Sequence, residues 1–107
     1  MLDDDHHRYL TNAAAIYTIL RNAFPPPLQI YTLDDPDTST KGYRIGGADI
    51  RDDLRHRIDV SREFLVDHPR SEIKSLLLEW RLIDEIRAAG LLRVLVTNDG
   101  VRVERKK

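Results

Sequence analysis

The sequence predicts an α+β fold in a single domain over residues 1–107. Apolar side chains recur at helical spacing in the first 24 residues, and a second stretch over 71–89 is apolar around more than half of a helical circumference. The last stretch alternates apolar and polar residues around Asp99-Gly100, which is typical of a β-hairpin. The predicted order is an N-terminal helix over 1–24, a proline turn and short hairpin over 25–47, helices over 49–90, and a C-terminal hairpin over 91–105.

The composition is that of a chain that folds without covalent or metal cross-links. With 107 residues there is room for one hydrophobic core, and the absence of cysteine excludes disulfides, thiol catalysis and cysteine metal sites. The sequence has neither a signal-peptide pattern nor an apolar run of membrane-spanning length, so we expect a cytoplasmic protein with no membrane partner. The formal net charge of −1 argues against a protein that wraps nucleic acid.

The first predicted helix covers residues 3–24. Aspartates at 3–5 stand at the positive end of its dipole, and prolines at 25–27 end the helix and extend the chain behind it. Its apolar stripe consists of Tyr9, Ala13, Ile16, Leu20 and Phe24, with Leu10, Ala14 and Tyr17 alongside. Because the alanines at 13–15 would allow close approach of another helix, this helix is the candidate surface for a homodimer.

The next segment predicts a hairpin with an exposed tip. Residues 28–33 (LQIYTL) are rich in β-branched and aromatic side chains, residues 34–42 form a polar loop, and residues 43–45 supply the returning strand. We expect Tyr31 and Tyr43 to border the loop as candidate contacts for a protein partner, since tyrosine is favoured at interfaces.

Three helices are predicted next. Residues 48–58 (ADIRDDLRHRI) suit a short helix with a favourable Asp53–Arg57 pair, and Ser61 caps a second helix that ends at His68-Pro69. The third covers 71–89 without interruption, with Ser71 as its N-cap and Gly90 as its left-handed C-terminal residue. Its wide apolar surface predicts that it is the core of the domain.

In the C-terminal hairpin, Asp99-Gly100 accept the positive φ angles of a two-residue turn. Counting outward pairs Val96 with Val103 and Leu95 with Glu104. One face, predicted to be buried, then carries Leu92, Val94, Val96, Val101 and Val103.

A helix, a glycine and a strand–turn–strand, written IRAAGLLRVLVTNDGVRVERK here, resemble the C-terminal half of winged helix-turn-helix domains over about residues 61–105. The resemblance implies a small winged-helix-like domain, with the 71–89 helix as recognition helix and the hairpin as wing. It implies contacts to duplex DNA from the start of the helix and from the wing, through Arg70, Ser71, Lys74, Arg93, Arg102, Arg105, Lys106 and Lys107.

Two functions remain open from the sequence. The first is a DNA-binding protein of transcription regulation, acting as a homodimer. The acidic Asp84 and Glu85 on the exposed stripe of the 71–89 helix oppose DNA contact there, which restricts base contacts to its N-terminal turn. The second is a protein-interaction module, such as a phage- or plasmid-type inhibitor or an adaptor subunit, which would use Tyr31 and Tyr43.

No catalytic arrangement emerges, and we expect a non-enzymatic protein without cofactor or metal. The Asp-Asp-Asp-His-His run at 3–7 offers adjacent ligands that point in different directions, so it does not predict a metal cage. Asp35, Asp37 and Ser39 have calcium-loop spacing, but Gly46 stands where the bidentate glutamate of such a loop belongs.

Overall fold

The computed structural model of the protein describes residues 4–49 and 51–104. It is a mixed α+β domain built from four helices and a five-stranded sheet. The elements in chain order are α1 (Asp4–Ala23), β1 (Gln29–Asp35), β2 (Thr40–Gly46), β3 (Leu54–Ser61), α2 (Arg62–Asp67), α3 (Arg70–Glu79), α4 (Leu82–Ala89), β4 (Arg93–Thr97) and β5 (Gly100–Glu104). Within these residues, no helix combines the length and apolar character that a membrane crossing requires.

The strands follow one another across the sheet in chain order, β1-β2-β3-β4-β5. Neighbouring strands run antiparallel except β3 and β4, which are parallel and are joined by a crossover through α2, α3 and α4. The helices pack on one face of the sheet. In-register side chains on that face, Tyr43, Ile58 and Val94, are essentially inaccessible to solvent and form the centre of the hydrophobic core.

The first helix and the hairpin behind it are confirmed in outline. α1 begins at Asp4, while Asp3 lies outside the described residues, and it ends ahead of the prolines. The segment behind it is not extended, because the Leu28 N–H donates to the Pro25 carbonyl 3.2 Å away and closes a turn. β1 and β2 are longer than predicted and leave only residues 36–39 as the tip, so the expected loop over 34–42 is wrong.

The predicted helix over 48–58 is wrong, because its second half forms β3. Ile58 and Val60 alternate with charged residues at period two, and both are completely buried in the sheet. A tight loop precedes the strand. The Gly47 N–H donates to the Asp53 carbonyl at 3.0 Å, and a Cβ at Gly47 would lie 2.0 Å from the Asp53 carboxylate. Asp53 therefore pairs with Arg55 at 3.0 Å and not with Arg57.

The predicted long helix over 71–89 is also wrong, because it is two helices that bury different faces. The chain breaks after Trp80, where Arg81 adopts a left-handed conformation with φ of 57°. Ile73 and Leu77 are buried in α3, whereas Leu82 and Ile86 are buried in α4. Two helices with different buried faces explain why the apolar pattern covers so much of one helical circumference. α3 also begins at Arg70 with Pro69 in the N-cap position, so Ser71 is not the cap.

The C-terminal hairpin is confirmed, with a shifted register. Val96 pairs with Val101 and not with Val103, because the two-residue loop is Asn98-Asp99 and Gly100 opens β5. The Asn98 amide donates to the Asp67 carboxylate at 2.7 Å, and its oxygen lies 3.0 Å from a His68 ring nitrogen, so tertiary contacts hold this loop. A shift of two residues preserves the faces, and the predicted valine face points to the core. The hairpin continues the sheet beside β3 and is not a free wing.

We expect Arg81→Gly to stabilise the protein by about 0.5–1 kcal/mol. Glycine adopts the left-handed conformation without the steric cost that a Cβ imposes. The side chain lost is exposed, as is its ion-pair partner Asp84. Urea unfolding measures the change in the free energy of unfolding. Arg81→Ala is the control and gives no gain, because alanine keeps the Cβ; an equal gain in both variants would contradict this explanation.

Candidate functional site

The face of the sheet without helices carries a row of polar side chains that crosses all five strands. Residues pair in register from β1 to β5, and each alternates along its strand with a residue that faces the core. The row consists of Tyr31, Arg44, Arg57, Arg93 and Glu104. Three arginines thus lie side by side on the three central strands, with their Cα atoms about 5 Å apart across the sheet. We call Arg44, Arg57 and Arg93 the arginine row, and this side of the sheet the open face.

The neighbouring row holds a buried carboxylate at its centre. It consists of Leu33, Gly42, Asp59, Leu95 and Arg102. The Asp59 side chain is only 8% exposed and accepts hydrogen bonds from Arg44 Nη1 at 3.0 Å and from Arg93 Nε. Arg93 also donates through Nη1 to Glu104. A Cβ at Gly42 would lie 2.9 Å from an Asp59 oxygen, so this glycine leaves the space that the bridge occupies.

The two arginines keep Asp59 ionised. Burial by itself would raise the pKa of Asp59, but the hydrogen bonds and positive charges of Arg93 and Arg44 outweigh burial and lower the pKa below its ordinary value of 3.8. Burial likewise opposes the charged form of Arg93, yet Asp59 and Glu104 raise the pKa of that guanidinium. This part of the open face is therefore a fixed network of charges.

Arg57 stands in the middle of the arginine row without an anion of its own. Among the described residues, no carboxylate lies within ion-pair distance of its guanidinium. Its neighbours on both sides are Arg44 and Arg93. The carboxylates of Asp59 and Glu104 already pair with these two neighbours. Like charges directly opposite each other across a sheet repel. An anion that bridges Arg57 to either neighbour would relieve that repulsion.

The structure separates the basic residues predicted from the sequence. Arg93 and Arg102 lie on the open face. Arg70, Ser71 and Lys74 lie at the start of α3 in the helical layer, where they line a groove against α1. The last three predicted residues, Arg105, Lys106 and Lys107, lie outside the described residues. The two described groups therefore do not form one surface.

Arg44 and Arg57 were missed from the sequence. The signal was the alternation of charged residues with Ile58 and Val60, which indicates a strand with one polar face. The sequence also fits a helix there, because Ile50, Leu54 and Ile58 have helical spacing, as do Asp53 and Arg57. Because no strand was predicted in this stretch, the sequence did not indicate that Arg57 lies next to Arg93.

Of the two predicted tyrosine contacts, only Tyr31 is exposed. It is 44% accessible on β1 and lies beside Leu33, which is 41% accessible. The exposure expected of Tyr43 is wrong. That ring is completely buried, its hydroxyl donates to the Ala13 carbonyl at 2.7 Å, and burial raises the pKa of the phenol well above its ordinary value. Tyr43 therefore connects β2 to α1.

A second polar cluster joins α1 to the β1–β2 hairpin. The Tyr9 hydroxyl donates to Asp34, and the Arg62 guanidinium lies 5.0 Å from the centre of the Tyr9 ring. Burial and the hydrogen bond to Asp34 raise the pKa of Tyr9 to about 12, so the phenol stays protonated at neutral pH and acts as a donor. Within residues 4–49 and 51–104, no group of three or more histidine, aspartate or glutamate side chains is placed to hold a metal ion.

Comparison of the chain with protein-family models, with curated proteins and with solved structures finds no match. The chemistry available to the site is therefore read from its own side chains. The open face offers four guanidinium groups (Arg44, Arg57, Arg93 and Arg102) and two carboxylates (Asp59 and Glu104). The two rows therefore carry a formal excess of two positive charges on a chain whose net charge is −1.

We expect Asp59→Asn to destabilise the protein at pH 7 by roughly 2–3 kcal/mol, because one amide oxygen cannot replace two charged acceptors. The deficit relative to wild type should shrink as the pH falls below 3.8. A carboxylate whose folded pKa is lowered contributes stability above its unfolded pKa and loses that contribution as the pH falls through the folded pKa.

Urea unfolding of both proteins at pH 7 and near pH 3 measures this difference. Asp52→Asn, at an exposed carboxylate in the loop before β3, is the control and should change stability little at either pH. A deficit that stays constant with pH would show that Asp59 contributes through packing and not through charge.

Proposed function

We propose that this protein binds single-stranded nucleic acid, with its phosphates held by the arginine row on the open face. The observation that carries the proposal is Arg57, which no described carboxylate pairs with and which lies between two arginines that are fixed in place by Asp59. Guanidinium groups are planar donors that bind phosphate oxygens in pairs. A phosphodiester across Arg57 and a neighbour would supply the missing negative charge.

The fixed positions of Arg44 and Arg93 support this function. Their guanidinium groups are already ordered by Asp59, so a ligand that contacts them does not have to immobilise long side chains. Each guanidinium carries five donors, and the bonds to Asp59, to Glu104 and to the carbonyls of Tyr43 and Ile58 engage only part of them. Tyr31 stands at the end of the same row and offers a ring on which a base stacks.

The dimensions of the sheet favour a single strand over a duplex. Five strands at about 4.8 Å spacing separate the outer strands by about 19 Å. The major groove of B-DNA is about 12 Å wide and admits a helix or a two-stranded ribbon. A sheet of this width does not enter the groove, whereas a single strand can lie across its surface.

Duplex binding in the winged-helix manner remains a distinct hypothesis with a different surface. It would use the start of α3, with Arg70, Ser71 and Lys74, together with the C-terminal hairpin. Those three residues lie in the helical layer, away from the arginine row. The two modes share the hairpin residue Arg93, but only the first uses Arg57 and only the second uses Arg70, so mutation of these two residues separates them.

A second candidate function is protein binding through β1. Tyr31 and Leu33 are exposed, neighbouring side chains on an edge strand, where an extended segment of another protein can add to the sheet. Retention on heparin at low salt favours nucleic-acid binding. Passage through heparin together with recovery of a stable protein complex favours this alternative.

We expect Arg57→Ala to weaken binding of single-stranded oligonucleotides about tenfold at low salt, or ~1.4 kcal/mol, whatever their sequence. The slope of log K against log salt should become shallower by about 0.7, the value for one lost phosphate contact on a single strand. Fluorescence anisotropy with labelled DNA and RNA oligonucleotides of mixed sequence measures both quantities.

Arg70→Ala is the matched control, because Arg70 likewise has no ion pair with any residue in 4–49 or 51–104 but lies in the helical layer. It should leave single-strand binding unchanged. Loss of duplex binding in Arg70→Ala with no effect of Arg57→Ala would support the winged-helix mode instead. The proposal fails if the wild-type protein binds no single strand at micromolar concentration in low salt.

A further inference from the structure

β1 is an edge strand whose first five residues lack the features that usually protect an edge. In the sheet it is hydrogen-bonded to β2 alone. Residues 29–33 carry no charge, residues 29–35 contain neither proline nor lysine, and the pairing with β2 is regular throughout. Natural edge strands normally carry such charges, prolines or bulges, because unpaired N–H and C=O groups bind other strands. The opposite edge, β5, carries charged Arg102 and Glu104.

We propose that β1 pairs with β1 of a second copy of this chain. The two strands run antiparallel about a two-fold axis at Thr32, and the two five-stranded sheets join into one sheet of ten strands. A two-fold contact between identical strands must be self-complementary, because each residue meets its partner twice. The sequence of β1 meets this condition in one register.

With Thr32 on the axis, apolar side chains face apolar side chains. Tyr31 lies opposite Leu33 of the second copy, so the two large exposed apolar side chains of β1 cover each other twice on the open face. Gln29 lies opposite Asp35 of the second copy, an amide facing a carboxylate. Neither aspartate meets another aspartate, since Asp34 lies opposite Ile30.

A shift of the axis to Tyr31 loses this complementarity. Leu33 would then lie opposite Gln29 of the second copy, and Asp34 would lie opposite Leu28. Because Asp34 meets an aliphatic residue in both registers, it is the contact of Tyr31 with Leu33 that selects the register centred on Thr32. A single pair of seven-residue strands buries less than the roughly 1,600 Å² of a standard protein interface, so we expect a weak dimer with a Kd on the order of 10–100 µM.

The joined sheet would bring two arginine rows onto one surface. Residues that lie opposite each other in an antiparallel pair point to the same face, so both open faces lie on the same side. A single strand that crosses the dimer would then contact both rows, which raises the affinity through the effective concentration of the second site. This consequence rests on the proposed function, whereas the dimer does not.

Cysteine cross-linking tests the register directly, because the chain contains no cysteine. Thr32 is exposed, and on the two-fold axis its Cα atoms would lie about 4.5–5.5 Å apart, within the range of a disulfide. We expect Thr32→Cys to form a covalent dimer under mild oxidation at about 100 µM protein. Ala14→Cys is the matched control on the exposed side of α1, the dimer surface predicted from the sequence, and should stay monomeric.

Sedimentation velocity gives an independent measurement on proteins without cysteine. Leu33→Lys places a charge opposite Tyr31 of the second copy and should raise the Kd of the dimer at least tenfold. Asn22→Lys, at an exposed position of α1, is the control and should not change the Kd. Circular dichroism melting checks that both variants remain folded.

The inference is overturned if the wild-type protein is monomeric up to about 500 µM and Thr32→Cys forms no covalent dimer. Efficient cross-linking of Ala14→Cys without cross-linking of Thr32→Cys would overturn it in favour of an α1 interface. None of these measurements uses nucleic acid, so they test the dimer independently of the proposed function. A monomer that still binds oligonucleotides through Arg57 would therefore remove the dimer and leave the proposed function intact.

Discussion

One buried carboxylate, Asp59, organises the open side of the sheet. It connects Arg44 on β2 and Arg93 on β4 across the strand on which it lies, so the three central strands are tied together on the side that no helix covers. Loss of one partner of a buried charge destabilises a fold by several kcal/mol, so Asp59 needs its hydrogen bonds to both Arg44 and Arg93. The same bonds set the positions of the two guanidinium groups, and among the described residues no carboxylate pairs with Arg57, which lies between them.

The elements that the sequence predicted well are those with one strong local period. α1 and the C-terminal hairpin each repeat apolar residues at a single spacing, and both form nearly where that spacing indicated. The stretch before Ser61 was misassigned because its charged residues satisfy both a helical and an alternating pattern. The residues that are buried distinguish the two patterns, and in β3 they depend on pairing with β2 and also with β4, which is distant in the sequence.

The break at Arg81 and the arginine row were hidden for a related reason. A wide apolar surface is compatible with one buried helix or with two helices turned relative to each other, and local spacing does not distinguish them. Arg93 was recognised as a candidate contact from the hairpin alone. Its neighbour Arg57 became visible only through the parallel pairing of β3 with β4, a contact between distant segments.

That parallel pairing also determines how the chain reaches its folded state. β1–β2, β2–β3 and β4–β5 are antiparallel neighbours joined by short connections, whereas β3 meets β4 only after residues 62–92 have closed a long loop. α1 packs on α2 and α3, which belong to that loop. Neither end of the chain therefore contains a complete core, and cleavage between α3 and α4 would separate two fragments that need each other to remain folded.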